Sequence, residues 1–286
     1  MKTKIAFVVT YFGNLPFYFP AFQLSCKYNP NIQWLIFTDC DEPKHLPANI
    51  TFVHLSIDDF AQLTTQKLGY EINIDSKFLY KICDFKPAFG TIYEDYLKEY
   101  TFWGHCDIDI VWGQINHFID EGILHNYDII TSRPERISGH FCLYRNIDKI
   151  NSIFLSMPVT EMLLKRVNSC ERLDEIYFTN YLHKQLKPGW FARIKQFRTE
   201  KPFVPRVYWD EVLTTSGKHQ RELYKKIENS FKWKQGRVYH VDGSEMMYLH
   251  FHKLKETLYS INFSYKNNLD EFIITSKGIF GNRIVL

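Results

Sequence analysis

Unbroken apolar runs, rather than alternation, mark the first part of the chain. Ile5-Ala6-Phe7-Val8-Val9 is one, Ile32-Gln33-Trp34-Leu35-Ile36-Phe37 a second, and Phe102 to Gly113 a third. Runs of this kind read as strands of a sheet covered on both faces. The first is expected to be central and to open into the loop Thr10-Tyr11-Phe12-Gly13; the second closes on Thr38-Asp39. Ile50 to Leu55 reads as a weaker strand. Pro16 suits a helix start, and Phe17 to Tyr28 fits a helix that stops before Asn29-Pro30. Ser56 is placed as an N-cap, with Asp58 and Asp59 in the first turn and Gly69 as the stop. Ser76 to Leu97 is a further helical stretch, broken at Pro87. Strand, helix, strand, strand, helix, helix and strand over about 110 residues predict a parallel α/β sheet.

Two carboxylates interrupt the third run, in the order Cys106-Asp107-Ile108-Asp109-Ile110. Isolated carboxylates are costly to bury. They are tolerated at a strand's carboxyl end, where open α/β sheets bind ligands and a cation can reach them. Two hard oxygen donors one residue apart suit Mg²⁺ or Mn²⁺, with substrate phosphates completing the shell. A bare Asp-x-Asp also describes a solvated turn, so the apolar strand before it carries the weight.

Beyond the centre the pattern breaks into shorter pieces. Ile115 to Gly122 is a short helix, and Tyr127 to Thr131 and His140 to Tyr144 are strands. Asn146 to Ser156, Glu161 to Ser169 and Arg172 to Leu186 read as helices. Lys218 to Trp233 reads as an amphipathic helix. Arg237 to Val241 and Met246 to His252 are late strands joined by the hairpin signal Asp242-Gly243-Ser244. Phe272 to Thr275 is one more strand. In the last long strand, His250 and His252 alternate with Leu249 and Phe251, which points both imidazoles to one face beside Lys253. A histidine pair next to a lysine suits a metal and diphosphate corner; an exposed hydrogen-bonding strand face would look the same.

Composition narrows the field. The chain has 286 residues, 45% of them hydrophobic, enough for one large core. A net charge of +3 is too mild to indicate nucleic acid. The six cysteines, Cys26, Cys40, Cys83, Cys106, Cys142 and Cys170, show no C-x-x-C pair and read as small hydrophobes in a reducing compartment. No signal peptide or run of about 18 apolar residues is visible, so a cytoplasmic protein is expected. Lys184 to Arg206 is basic and aromatic. It reads either as a solvated face or as a peripheral contact with the inner face of an anionic membrane. Neither G-x-G-x-x-G nor G-x-x-x-x-G-K-[ST] occurs, which argues against dinucleotide dehydrogenases and P-loop NTPases.

Taken in order, the Thr10-Tyr11-Phe12-Gly13 loop, the Asp107-Ile108-Asp109 strand end and the late Leu249-His250-Phe251-His252-Lys253 resemble the GT-A fold of nucleotide-sugar glycosyltransferases. The likeness is nearest to bacterial enzymes of capsule and lipopolysaccharide assembly related to glycosyltransferase families 8 and 32. It implies a Rossmann-like, mostly parallel sheet flanked by helices, with a smaller antiparallel element. It also implies one catalytic domain over 1–286: a nucleotide-binding half to about 113, an acceptor-binding half over about 114–255, and an extension over 256–286.

By that resemblance, Asp107, Asp109 and His250 would hold Mn²⁺ or Mg²⁺. Thr10, Tyr11, Phe12, Asp39, Asp84, Lys86, Asp107, His252 and Lys253 would meet the donor, a UDP-sugar. Gly139 and His140 would face a saccharide or lipid-linked saccharide acceptor, and Asp174 and Glu175 would be the catalytic acids. Family 8 usually reads His-x-x-Gly-x-x-Lys after the late strand. The glycine is missing here, which leaves open whether His250 or His252 is the ligand and whether Lys253 or Lys255 meets the phosphates. The resemblance implies retention of configuration; Asp174 as a base would instead support inversion. Two rivals stand beside this reading. A sugar-phosphate nucleotidyltransferase would need a glycine-rich, basic loop after the first strand, and Thr10 to Pro16 has one glycine and no basic residue. A non-catalytic carbohydrate-binding protein would not need the acids and histidines together.

Overall fold

The computed structural model describes residues 3–186, 203–209, 231–240, 242–252 and 254–281. The early strands form where the apolar runs place them: β1 (Ile5–Thr10), β2 (Ile32–Thr38), β3 (Ile50–His54) and β4 (Phe102–Cys106). All four are parallel, and β1 lies between β2 and β4. The reason for unbroken apolar runs is visible in the packing. Ala6 and Val8 enter one core, while Ile5, Phe7 and Val9 enter another on the opposite face. Helix α1 (Phe19–Lys27) covers the second face with Phe19 and Phe22. Helix α2 (Ile57–Leu68) covers the first with Phe60. Ser56 and Asp59 form a reciprocal capping box at the start of α2, and Gly69 ends it at φ 78°.

The run from Phe102 to Gly113 is not one strand, and this is the main correction to the expected fold. It stops at Cys106, bends through Asp107-Ile108-Asp109, and resumes as β5 (Ile110–Trp112). Apolar content alone cannot separate one buried strand from two that join different sheets. Strands β6 (Ile129–Thr131), β7 (Phe141–Arg145) and β8 (Val207–Trp209) complete a seven-stranded sheet of order β3-β2-β1-β4-β7-β6-β8. Within it β7 alone runs against its neighbours β4 and β6.

A six-stranded, mostly antiparallel sheet is built from β9 (Phe231–Lys234), β10 (Arg237–Tyr239), β11 (Glu245–Met246), β13 (Ser260–Ile261), β14 (Glu271–Ile274) and β15 (Gly278–Gly281). Its β10–β11 turn is the expected hairpin. The helix expected over Lys218 to Trp233 ends in strand β9; residues 218–230 lie outside the described residues. Phe231 and Trp233 are buried and Lys234 is exposed, the period of two of a strand. The strand expected over Met246 to His252 divides as well. Its second part, β12 (Tyr248–His250), leaves the hairpin and pairs with β5.

Several expected helices are shorter. Leu79–Ala88 is a 3-10 helix containing Pro87, followed by Phe89–Ile92 and Glu94–Leu97. Ile115–Phe118 and Glu121–Asn126 are separate, because the Asp120 side chain caps the second. Asp148–Asn151 continues only as a 3-10 turn, and Thr160–Leu164 replaces the longer Glu161 to Ser169. Arg172 to Leu186 divides into a π-helical turn, Leu173–Phe178, and the helix Thr179–Leu186. All six cysteines are free thiols. Among the described residues no helix is long and apolar enough to cross a membrane. Most of the basic stretch from Lys184 to Arg206 lies outside the described residues.

Candidate metal and donor site

The parallel strands reverse their order of addition between β1 and β4, and a crevice opens at the carboxyl ends of such a pair. The loop after β1 and the bend after β4 therefore lie side by side. The β5–β12 ladder does the rest. His250 pairs with Ile110, and the Phe251 N–H donates to the Asp109 carbonyl at 2.8 Å. His250 Nε2 then lies 3.2 Å from Asp109 Oδ1 and 3.8 Å from Asp107 Oδ2. One ligand atom from each of the three falls within 4.8 Å of the others. His140 stacks on His250 at 4.2 Å between ring centroids.

Two ammonium groups press on the same corner. Lys86 Nζ donates to Asp107 Oδ1 at 2.5 Å and to the Gly139 carbonyl at 2.6 Å. Lys255 Nζ donates to Asp109 Oδ2 at 2.9 Å. Burial alone would raise the pKa of Asp109, but His250 and Lys255 outweigh it and hold that carboxyl well below the usual range. Burial likewise pulls Lys86 down, and Asp107 more than reverses this, leaving it well above the ordinary lysine value. Two carboxylates and an imidazole make an oxygen-rich set that fits Mn²⁺ or Mg²⁺. The ammonium groups already supply positive charge there, so a divalent cation would meet the same demand.

Two clefts meet at this corner. One, of about 320 Å³, is lined by Thr10, Tyr11, Phe12, Tyr18 and Ile108. The other, of about 500 Å³, is lined by Gly139, His140, Asp174, Glu175, His250 and His252. Tyr80, Cys83, Lys86, Asp107 and Lys255 border both.

The structure thus brings most of the expected residues together. Thr10 Oγ1 lies 2.8 Å from the Tyr93 hydroxyl, and the Tyr11 hydroxyl donates to the Asn14 carbonyl at 2.9 Å. Phe12 is a wall that also packs on Phe60. Asp39 lines neither cleft; it accepts the Gly13 N–H at 2.8 Å and ties the loops after β1 and β2 together. Asp84 is placed behind the site rather than in it. It is fully buried, pairs with Lys81 at 2.9 Å, and accepts the N–H groups of Glu171 and Leu173. The resemblance implied that Asp84 and Lys86 both meet the donor, but the 3-10 helix points the two side chains apart, Asp84 to Lys81 and Lys86 to Asp107. His252 lies just past the end of β12, exposed and at φ 28°, so the expected alternation stops at His250. The three-residue metal group contains His250 and not His252. Lys253 lies outside the described residues.

Asp174 and Glu175 differ sharply. Burial pushes Asp174 up to about 7, against the pull of Lys86, and its Oδ2 has no hydrogen-bond partner among the described residues. Burial would also raise Glu175, but Arg172 and Arg133 outweigh it and hold that carboxyl low. A Cβ on Gly139 would meet Glu175 Oε1 at 3.1 Å and Asp174 Oδ2 at 3.4 Å, so glycine is what lets this backbone lie against the two acids. Sequence reasoning did not single out Tyr18, Tyr80, Arg133 or Arg172, which also line the clefts. None belongs to a spaced motif; Arg172 stands beside Asp174 and Glu175 and was the nearest to being found.

The model of a family described as "Family of unknown function (DUF6625)" matches residues 7–283. No curated protein matches. Solved structures that match include the galactosyltransferase LgtC in complex with donor and acceptor sugar analogs: 12% identity, 93% of this chain and 100% of that one, TM-score 0.40. Mouse xyloside xylosyltransferase 1 matches at 10% identity over 86% of this chain and 97% of that one, TM-score 0.38. Core-mannan synthase A from Aspergillus fumigatus, in its Mn/GDP form, matches at 9% identity over 61% and 70%, TM-score 0.31.

Proposed function

We propose that this chain, which belongs to the family of unknown function DUF6625, is a metal-dependent glycosyltransferase. It moves a sugar from a nucleoside-diphosphate sugar, a UDP-sugar in the first instance, to a saccharide or lipid-linked saccharide acceptor. The observation that carries this reading is the meeting of Asp107, Asp109 and His250, with Lys86 and Lys255, where the two clefts join. Capsule or lipopolysaccharide assembly is the setting the sequence resemblance suggests. In this reading residues 1–286 act as one catalytic domain, with its nucleotide-binding half ending near the Asp107–Asp109 bend.

Departure of a nucleoside diphosphate builds negative charge on its oxygens. Bound Mn²⁺ or Mg²⁺ would neutralise part of that charge, held by Asp107, Asp109 and His250. Lys86 and Lys255 stand ready to take up the remainder, each by turning a hydrogen bond from a carboxylate to a phosphate oxygen. Tyr11 and Phe12 form the wall of the smaller cleft, where the nucleoside lies. The sugar then projects past Gly139 toward Asp174 and Glu175, and the acceptor enters from the larger cleft. Holding the acceptor hydroxyl against the anomeric carbon supplies the positioning part of catalysis. Retention follows from the sequence resemblance. Asp174, with a pKa of about 7, is the group able to hold or release a proton at neutral pH.

The test is incubation of the full chain with a panel of nucleotide sugars and Mn²⁺, with and without a saccharide acceptor. Release of nucleoside diphosphate and free or transferred sugar supports the proposal. Pyrophosphate release would instead mark a nucleotidyltransferase, and binding without turnover a carbohydrate-binding protein. The anomeric configuration of the product, read by proton NMR, tests retention. Co-sedimentation with anionic and neutral vesicles tests peripheral membrane contact.

A further inference from the structure

Across Gly139 from the metal corner, the wall of the larger cleft is rich in arginine. Arg133, Arg136 and Arg172 line it. Arg133 Nη1 lies 3.4 Å from Glu175 Oε1, and Arg172 pairs with Oε2 of the same carboxylate. Arg136 is near enough to help hold Glu175 low and to depress Arg133, yet no carboxylate among the described residues forms an ion pair with it. Asp174 offers only partial countercharge at neutral pH, because burial keeps its pKa near 7. Three guanidinium groups therefore face one full carboxylate. Arg133 is mostly buried, and its Nε has no hydrogen-bond partner among the described residues. A buried donor left unmade is costly, so this guanidinium is held in the wall without the full set of partners it could bind. Arg172 holds a left-handed backbone, φ 56°, which non-glycine residues rarely adopt.

The donor diphosphate does not account for this charge. Its needs fall on Lys86, Lys255 and the three ligating side chains, which pair among themselves, while Arg133 and Arg172 pair with Glu175. Between them, Gly139 presents its carbonyl to Lys86 and its N–H to Glu175 at 3.4 Å. We propose that the arginine wall is a subsite for an anionic group, a carboxylate or a phosphate, carried by the acceptor saccharide. Arg133 and Arg136 bind that group, and Arg172 is a positioning residue that keeps Glu175 against Gly139. Guanidinium forks match both oxyanions with two parallel hydrogen bonds. A neutral acceptor would leave the excess positive charge half-buried and unanswered. This inference rests on the transferase reading above and narrows it to acidic or phosphorylated acceptors.

The experiment is calorimetry on the full chain with UDP and Mn²⁺ present. The probes are matched pairs: p-nitrophenyl glucuronide against p-nitrophenyl glucoside, and glucose 6-phosphate against glucose. At least one charged member should bind about ten-fold more tightly than its neutral partner, the effect of one charge-assisted contact. Which pair shows the advantage tells carboxylate from phosphate. The advantage should fall several-fold in Arg136→Gln, which breaks no ion pair and should fold, and vanish in Arg133→Gln/Arg136→Gln. Equal binding of charged and neutral partners by the native chain overturns the proposal, and so does an advantage unchanged in Arg136→Gln. Thermal shift with UDP-glucuronate and UDP-glucose adds a donor arm. A preference for UDP-glucuronate that Arg136→Gln removes would move the charge to the donor sugar and overturn the acceptor assignment. Metal-dependent hydrolysis of nucleotide sugars is measured in parallel. Anion preference without any turnover removes the transferase reading and leaves the subsite; turnover without anion preference removes the subsite alone.

Discussion

His250 Nε2 and Asp109 Oδ1 lie 3.2 Å apart because a two-stranded ladder, not a sequence motif, joins them. His250 is paired with Ile110, the residue that follows Asp109, so the histidine can reach the acid only while β12 holds register on β5. A slip of one residue would turn His250 to the other face. This makes the candidate metal corner a property of two strands that belong to neither large sheet.

The first expectation concerns that corner. Asp109→Asn keeps the side-chain volume and weakens one ligand. Turnover should fall by more than about 100-fold, beyond the 10- to 100-fold typical of groups that only orient ligands. Thermal denaturation should show a folded variant. Excess chelator should have the same effect on the native chain, and Mn²⁺ should restore activity. Full turnover in chelator would remove the metal from the mechanism.

His250 and His252 separate in a second measurement. His250→Ala should weaken Mn²⁺ binding by at least about ten-fold, read by the metal's electron paramagnetic resonance signal, while His252→Ala should leave it nearly unchanged. Equal losses would mean that the exposed His252 swings in to bind.

Tyr11 lines the smaller cleft with its hydroxyl tied to the Asn14 carbonyl. If its ring stacks on the base, Tyr11→Ala should cost about 1–3 kcal/mol of nucleoside diphosphate affinity. Calorimetry decides this, and unchanged affinity would place the base elsewhere.

Asp174 carries a pH signature. Its pKa is about 7 in the folded chain against an ordinary 3.8, because it is buried. The folded state thus keeps a proton that the unfolded state loses between about pH 4 and pH 7. The group's stabilising contribution is full below about pH 4, declines as pH rises, and is gone above about pH 7, with a ceiling of about 4 kcal/mol. Asp174→Asn should abolish that decline. Melting curves of both proteins from pH 4 to 8 test it; parallel profiles would mean that Asp174 is ionised throughout.

Far from the clefts, the Ser56 side chain accepts the Asp59 N–H at 3.1 Å. Ser56→Ala should lower stability by about 1 kcal/mol in urea denaturation and leave turnover unchanged.

What the sequence determined by itself was the frame. Ile5 to Val9 and Ile32 to Phe37 form strands because their neighbours in the sheet and both covering layers are apolar, and that requirement is written residue by residue; Ile50 to Leu55, whose strand is the half-exposed edge of the sheet, carried the weaker signal. The capping box at Ser56 and the stop at Gly69 are equally local, since a helix end is satisfied by side chains a few positions away. Asp107 and Asp109 were legible as out of place in an apolar run. Only the tertiary structure decided that this run is two strands, because burial looks the same whichever sheet supplies it. It also decided that Asp84 turns inward to Lys81 while Lys86 turns outward to Asp107, a difference set by the winding of a 3-10 helix around Pro87. Arg133, Arg136 and Arg172 are ordinary charged residues until Gly139 and the Leu173–Phe178 turn bring them to one wall. Strand and cap signals act over a few residues and survive in sequence; a site assembled across the chain depends on register and packing, which no local pattern records.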